Sequence, residues 1–282
     1  MLWDTAIFRI ISESQKDKLN RNPQSPQLNK QLYSFIFRNY FHAQCAYVRR
    51  LTDANYGLEG SRGVYSLDAI RKNLKNYREE LTREKYLYLR GLPYDYSKIR
   101  EKGLAFILNQ PPRNEKFILI PNELDWERIE DAHETFDRLS DTNPDNRKPS
   151  DLIKKQILER LEDKLKDCEK INIYVNKFIA HAATTESRSK FEEDEYKPTL
   201  KKLYDAQKII YQVANFLSGV LFSIDNMPLA IESPFFYEFW DEPFFEEEES
   251  KEKVRATLKL YREETETWRE SSINDVWSWV ES

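Results

Sequence analysis

Residues 149–183 read PSDLIKKQILERLEDKLKDCEKINIYVNKFIAHAA, and the fold turns on how this stretch is understood. Pro149-Ser150 breaks the chain and offers an N-cap, and Asp151 falls in the first turn, where a carboxylate suits the helix dipole. Neither Gly nor Pro interrupts residues 150–183, so the pattern predicts a single helix from Pro149 to about Ala183, about twice the ordinary length. Ile171, Val175, Phe178 and Ala182 repeat at i, i+4, i+7 and i+11 and predict a face turned towards a core. Lys170, Tyr174, Lys177 and His181 form a polar ridge beside that face, rotated from it by roughly a quarter turn. A neutral imidazole at a helix end, with a lysine close by, has the chemistry to move a proton while the cation steadies a phosphate. The same histidine also suits a structural role, bonding the next helix at the negative end of the dipole.

On the N-terminal side, Asp4 or Thr5 caps a first helix with an apolar stripe of Trp3, Ile7, Ile10 and Ile11. Gln15 to Leu28, with Asn22-Pro23 and Ser25-Pro26, reads as a connection. A second helix is expected from about Asn29 to Asp53, burying Leu32, Ile36, Ala43 and Tyr47 and carrying His42, Ala46, Arg49 and Asp53 on its flank. After a loop with Gly57, Gly60 and Gly63, Ser66 caps a helix with Leu67, Ile70, Leu74 and Leu81. Tyr86 to Pro121 reads as an irregular insert in which Leu104–Leu108 and Phe117–Ile120 could pair as a small hairpin. Asn122 then caps a helix to about Leu139 that carries Ile129, Ala132, His133 and Phe136 on one face.

Beyond the central stretch, Pro198 starts a helix whose Leu203, Ile210, Ala214, Leu217 and Leu221 should pack along the long one. The chain then changes character. Phe235, Phe236, Tyr237, Phe239, Trp240, Phe244 and Phe245 are interleaved with prolines ahead of the acidic run Glu246 to Glu249. A final amphipathic helix with Val254, Leu258 and Tyr261 leads to Trp277-Ser278-Trp279. The organisation this predicts is a helical bundle over 1–223 and an aromatic-rich appendage over 224–282 that wraps the bundle or a partner.

Composition narrows the class. Only 6 glycines in 282 residues, with little apolar–polar alternation, favour helix over sheet. No run of eighteen apolar residues suggests a membrane span, and Met-Leu-Trp-Asp-Thr does not read as a signal sequence, so a cytoplasmic protein is expected. Cys45 and Cys168 fall on apolar faces and read as buried free thiols. A net charge of -5 argues against a globally nucleic-acid-binding surface but leaves room for a local basic groove.

Among candidate site residues, Arg50 and Asp53 suggest a structural ion pair closing the second helix, with Arg49 offering its planar fork to a phosphate. His42 lies on the same flank as Arg49; His133 reads as a core or boundary histidine. Three dispersed histidines without acidic or cysteine spacing predict no metal site, and no glycine-rich phosphate loop or nucleophile elbow points to a cofactor.

Ala46-Tyr-Val-Arg-Arg-Leu-Thr-Asp53, then Val64-Tyr-Ser-Leu67, then Asn176-Lys-Phe-Ile-Ala-His181 together resemble the HEPN-like superfamily, closest to its abortive-infection-associated, AbiU-type branch. The resemblance spans roughly Asn29 to Ser223. It implies an antiparallel helical bundle that homodimerises, and a defence or toxin-system protein that binds RNA or a cognate protein partner. Active members are metal-independent ribonucleases with an Arg-x4-6-His motif. His181 matches the motif's histidine, but Tyr174, Val175 and Asn176 stand where the arginine is permitted. The resemblance therefore implies His181 as general acid/base with Lys177 and Arg49 supplying charge, and Arg50, Tyr174 and His42 as RNA contacts. Loss of the motif arginine keeps a non-catalytic interaction or dimerisation module open beside the ribonuclease.

Overall fold

Apolar residues at helical spacing, with few glycines between them, have produced an all-α bundle. The computed structural model describes residues 1–21, 30–53, 66–109, 121–180, 189–190, 192–222 and 248–281. Among these stand eleven α-helices and no strand. They are α1 (Leu2–Arg21), α2 (Lys30–Thr52), α3 (Leu67–Asn76), α4 (Arg83–Leu89), α5 (Ser97–Leu108) and α6 (Trp126–Ser140), then α7 (Lys155–Lys166), α8 (Glu169–Tyr174), α9 (Glu193–Tyr196), α10 (Leu200–Asn215) and α11 (Glu248–Glu281). The helix of α8 continues as a π-helical turn over Val175–Ile179, and that of α10 over Phe216–Leu221.

Apolar burial, the main force driving the collapse, is divided between two large clusters. The main core joins Leu87 of α4, Phe136 of α6, Leu161 of α7, Val213 of α10 and Trp277 of α11. The second joins Phe41, Cys45 and Val48 of α2 to Ile171 and Tyr174 of α8 and to Leu203 and Ile210 of α10. A smaller one packs Ala6 and Ile10 of α1 on Leu258 and Tyr261 of α11. As expected, α10 lies along the central stretch, contributing to both large cores. Contacts between α10 and α11 rise together in number: Tyr204 meets the Trp268 ring at 5.0 Å, Gln212 Nε2 donates to Asp275 Oδ2 at 2.7 Å, and Phe216 meets Trp277 at 5.4 Å. The two helices therefore run in the same direction, which requires a long connection. Residues 248–281 are thus one helix packed into the bundle, while the aromatic stretch 235–245 lies outside the described residues.

The single helix predicted from Pro149 does not form. Asp151 is drawn instead to Arg83, whose Nε donates to its Oδ2 at 2.9 Å. Backbone N–H groups of Arg83 and Glu84 bond the carbonyls of Asp151 and Pro149, and Thr82 bridges Leu152. These contacts hold the segment extended and delay the helix start to Lys155. A second break falls at 167–168, where Asp167 and Cys168 donate to carbonyls three residues back. That tightening rotates the chain from the main core, which takes Leu161 and Leu165, to the second core, which takes Cys168 and Ile171.

Other expectations are corrected in the same way. Helix α1 extends to Arg21, through much of the predicted connection. The face predicted for α2 is rotated: Leu32 and Tyr47 are exposed, and Phe41, Gln44, Cys45, Val48 and Thr52 are buried. Gln44 is buried because Gln207 Nε2 donates to its Oε1 at 2.8 Å and to Thr5 Oγ1 at 3.1 Å, a polar network that hydropathy does not reveal. The described part of the insert is largely helical. Leu104–Leu108 belongs to α5, and residues 117–120 lie outside the described residues, so no hairpin is formed by the first segment. Gly103 lets α5 approach Trp126, since a Cβ there would lie 2.2 Å from the indole ring. Asn122 opens a 3-10 turn, and Asp125 caps α6 by accepting from Arg128 N. The Ser66 cap forms as read, with Oγ accepting from Ala69 N at 3.0 Å.

Arg83 is fully buried. It pairs with Asp137 at 2.7 Å and Asp151 at 2.9 Å and donates to the His133 carbonyl at 3.0 Å. Arg147 makes a second pair with Asp137 at 2.6 Å. Removing one partner of a buried pair strands the other charge. Arg83→Ala should therefore destabilise the fold by about 3–5 kcal/mol in denaturant titration, and a loss below about 1 kcal/mol would show the pair to be dispensable.

His133, expected at the core, is 2% exposed. Its Nε2 faces the Tyr94 carbonyl at 3.0 Å, and its Nδ1 is buried without a partner. Burial, reinforced by the charges of Arg147 and Arg83, lowers its pKa below the ordinary 6.5. The unfolded chain then takes up a proton that the folded chain refuses. This contribution to stability is complete above about pH 6.5 and is lost as pH falls from there towards the depressed folded value. His133→Gln should flatten that part of the stability–pH curve, as measured by thermal melts between pH 5 and pH 8; an unchanged slope would place the proton uptake elsewhere.

Candidate functional site

Helices α2, α3, α7 and α8 meet at a polar cleft of about 310 Å³ beside the second core. Its floor is the buried Arg71, whose Nε donates to Asp68 Oδ1 at 2.8 Å while Nη1 meets Glu162 Oε2 at 2.9 Å. Lys72 adds a 3.1 Å pair to Asp68, and Lys166 a 3.3 Å pair to Glu162. The result is a string of alternating charges, Lys72, Asp68, Arg71, Glu162 and Lys166, that largely neutralises itself. Thr52 and Asp53 bring the end of α2 into the cleft, and Asn172, Ile173 and Asn176 bring α8 and its π turn. Thr52 Oγ1 donates to the Val48 carbonyl at 2.9 Å and receives Asn172 Nδ2 at 3.1 Å.

The sequence-predicted residues divide around this cleft. Asp53 lines it, but its helical partner is Arg49, with Nε 3.7 Å from Oδ2, and not Arg50. At that separation the contact is an ion pair and not a hydrogen bond. Arg50 is exposed on the outer side of α2. Tyr174 does not join a polar ridge: it is 3% exposed, inside the second core, with its ring 5.4 Å from Phe178 and 6.1 Å from Phe41. Tyr174 stands three residues after the buried Ile171 on the side of α8 that faces Phe41, and the π turn begins only beyond it, where Ala180 N bonds the Val175 carbonyl five residues back at 2.7 Å. Lys177 is half-buried within that turn. His181 lies outside the described residues, so its position relative to Lys177 and Arg49 is not part of this geometry. Among the described residues no group of His, Cys, Asp and Glu is arranged to hold a metal.

Sequence reasoning missed the Arg71–Asp68–Glu162 set. A signal was present, since Arg71 falls on the apolar Leu67, Ile70, Leu74 stripe, where a cation requires a buried partner.

The outward face of α2 carries a different chemistry. This helix contains no Asp or Glu, although the chain has 49 acidic residues. Phe35, Arg38, Asn39, His42, Ala46, Tyr47 and Arg50 are all exposed, with Phe35 at 55% and Tyr47 at 38%. Among the described residues Arg38 and Arg50 make no ion pair. The face therefore offers cations for phosphates and aromatic surface for bases, and its last member, Arg50, stands one turn before Asp53 of the cleft. On another side, Ile70, Leu74, Tyr77, Leu81, Leu89 and Phe222 line an apolar groove of about 340 Å³.

Neither thiol belongs to a reactive site. Burial pushes both Cys45 and Cys168 up to about 12, with the charge of Asp167 adding to the shift at Cys168. Both should resist a thiol reagent at pH 8 in the native protein and react fully in denaturant. Labelling of either in the native state would show that the second core opens. No helix of the described residues is long and apolar enough to cross a membrane. Comparison with protein-family models, with characterised proteins and with solved structures gives no match to this chain.

Proposed function

We propose that this chain is an RNA-binding protein of the HEPN-like, defence or toxin-system kind, engaging a single strand along the outward face of α2. The observation that carries the reading is the acid-free, aromatic and basic character of that face in a chain of net charge -5. Arg38 and Arg50 serve the phosphates, Phe35 and Tyr47 stack on bases, and His42 lies between them. Tyr174 drops out of the set of RNA contacts because it is in the core, and Arg49 serves first to hold Asp53.

Metal-independent cleavage by attack of a 2'-hydroxyl on the adjacent phosphate would rest on His181 and Lys177. Degradation of RNA in EDTA by wild type but not by His181→Ala would establish it. Binding is tested separately. Arg38→Ala with Arg50→Ala should weaken binding to single-stranded RNA roughly tenfold or more and lower the salt slope of the binding constant by about 0.7 for each contact removed. The apolar groove beside Tyr77 and Leu89 favours a second reading, a non-catalytic protein-interaction module. If no RNA binds, or the double variant binds as wild type does, that second reading replaces the first.

A further inference from the structure

We infer that the cleft at the C-terminal end of α2 receives one unstacked nucleobase of the bound strand; this rests on the RNA-binding reading of the α2 face. The ridge and the cleft are one helical turn apart, because Arg50 ends the exposed face and Asp53, three residues on, lines the cleft with the buried Thr52. Their electrostatics differ in a way that separates the parts of a nucleotide. The ridge has cations with no acidic neighbour on its own helix, which suits phosphate. In the cleft, Asp68 and Glu162 are each held by Arg71 and by a lysine, so little field remains for an anion and a neutral polar group is favoured.

Size and lining point the same way. A volume of about 310 Å³ is at the lower end of small-ligand pockets. Leu165 and Ile173 give apolar surface for a ring face. The Thr52 hydroxyl has one proton, and its shorter contact is to the Val48 carbonyl, 2.9 Å against 3.3 Å to Asn172 Oδ1. Asn172 therefore keeps its amide oxygen and one amide hydrogen, the donor–acceptor pair with which an amide reads a base edge. Asn176 adds a second amide, and its buried Oδ1 has no hydrogen-bond donor. A base edge carries N–H groups of the kind that oxygen lacks.

The test uses fluorescence anisotropy of the full chain with a labelled oligoadenylate and with an abasic ribose-phosphate strand of equal length. Wild type should bind the intact strand more than tenfold tighter, because the base in the cleft adds roughly tenfold to what stacking on Phe35 and Tyr47 contributes. Asn176→Trp, which fills the cleft, should weaken the intact strand roughly tenfold and leave abasic binding unchanged, the remaining preference being the stacking on Phe35 and Tyr47. Retained abasic binding then also shows that the variant is folded, and Ile173→Trp provides an independent repeat. An undiminished preference for the intact strand in both variants overturns the inference while leaving the ridge reading in place; equal binding of the two strands by wild type overturns it together with the stacking on Phe35 and Tyr47. If neither strand binds, the ridge reading falls and takes this inference with it.

Discussion

The fold depends most on what is done with the guanidinium of Arg83. A fully buried cation is tolerated only when its donors are matched, and here the partners come from two separate parts of the chain. Asp137 and the His133 carbonyl belong to α6, and Asp151 belongs to the extended segment that precedes α7. Satisfying this one side chain therefore fixes where α4 begins, how α6 lies against it, and where the central stretch turns helical. Arg147 compensates the shared Asp137 from the loop between, so the cluster holds two guanidinium groups against two carboxylates. Such a network is a weak source of net stability and a strong source of geometry, because a shifted register would leave a buried charge alone.

From that anchor the central stretch crosses between the two large cores, and the polar cleft opens at the crossing. The tight turn at 167–168 passes the chain from one apolar cluster to the other, and charged side chains of α3 and α7 close the seam. Beyond it α8 ends with Tyr174 inward, and the π turn that follows has Val175 inward while Asn176 remains on the cleft wall. A π turn is energetically poorer than α-helix and is found disproportionately beside functional sites. Here it lies beside the cleft to which the acid-free face of α2 leads.

Much of the architecture was legible in the sequence, and the failures have physical causes. Helical class, the Ser66 cap, the buried thiols and a core His133 follow from spacing and local hydrogen-bond chemistry. The buried face of α2 was misread because Gln44, Thr5 and Gln207 satisfy one another inside the bundle, and apolar periodicity assigns such residues to the surface. The unbroken helix from Pro149 was misread because the competing partner of Asp151 lies 68 positions away, at Arg83. Tyr174 reads as part of a polar ridge by its hydroxyl, but it stands three residues from Ile171 on the side of α8 that packs on Phe41, so its ring is taken into the second core. Choosing Arg50 over Arg49 as the partner of Asp53 was a choice between i,i+3 and i,i+4, which local sequence leaves nearly balanced.

The same-direction pairing of α10 and α11 has a kinetic corollary. Ala6 and Ile10 are buried by Leu258 and Tyr261, which are made long after them, and the main core takes in Trp277. Contacts of such sequence separation carry a large loop-closure cost and are formed late. During synthesis, α1 and the flank of α10 must wait with apolar surface uncovered until residues 248–281 emerge. The nascent chain should therefore be at its most chaperone-dependent just before that helix is complete.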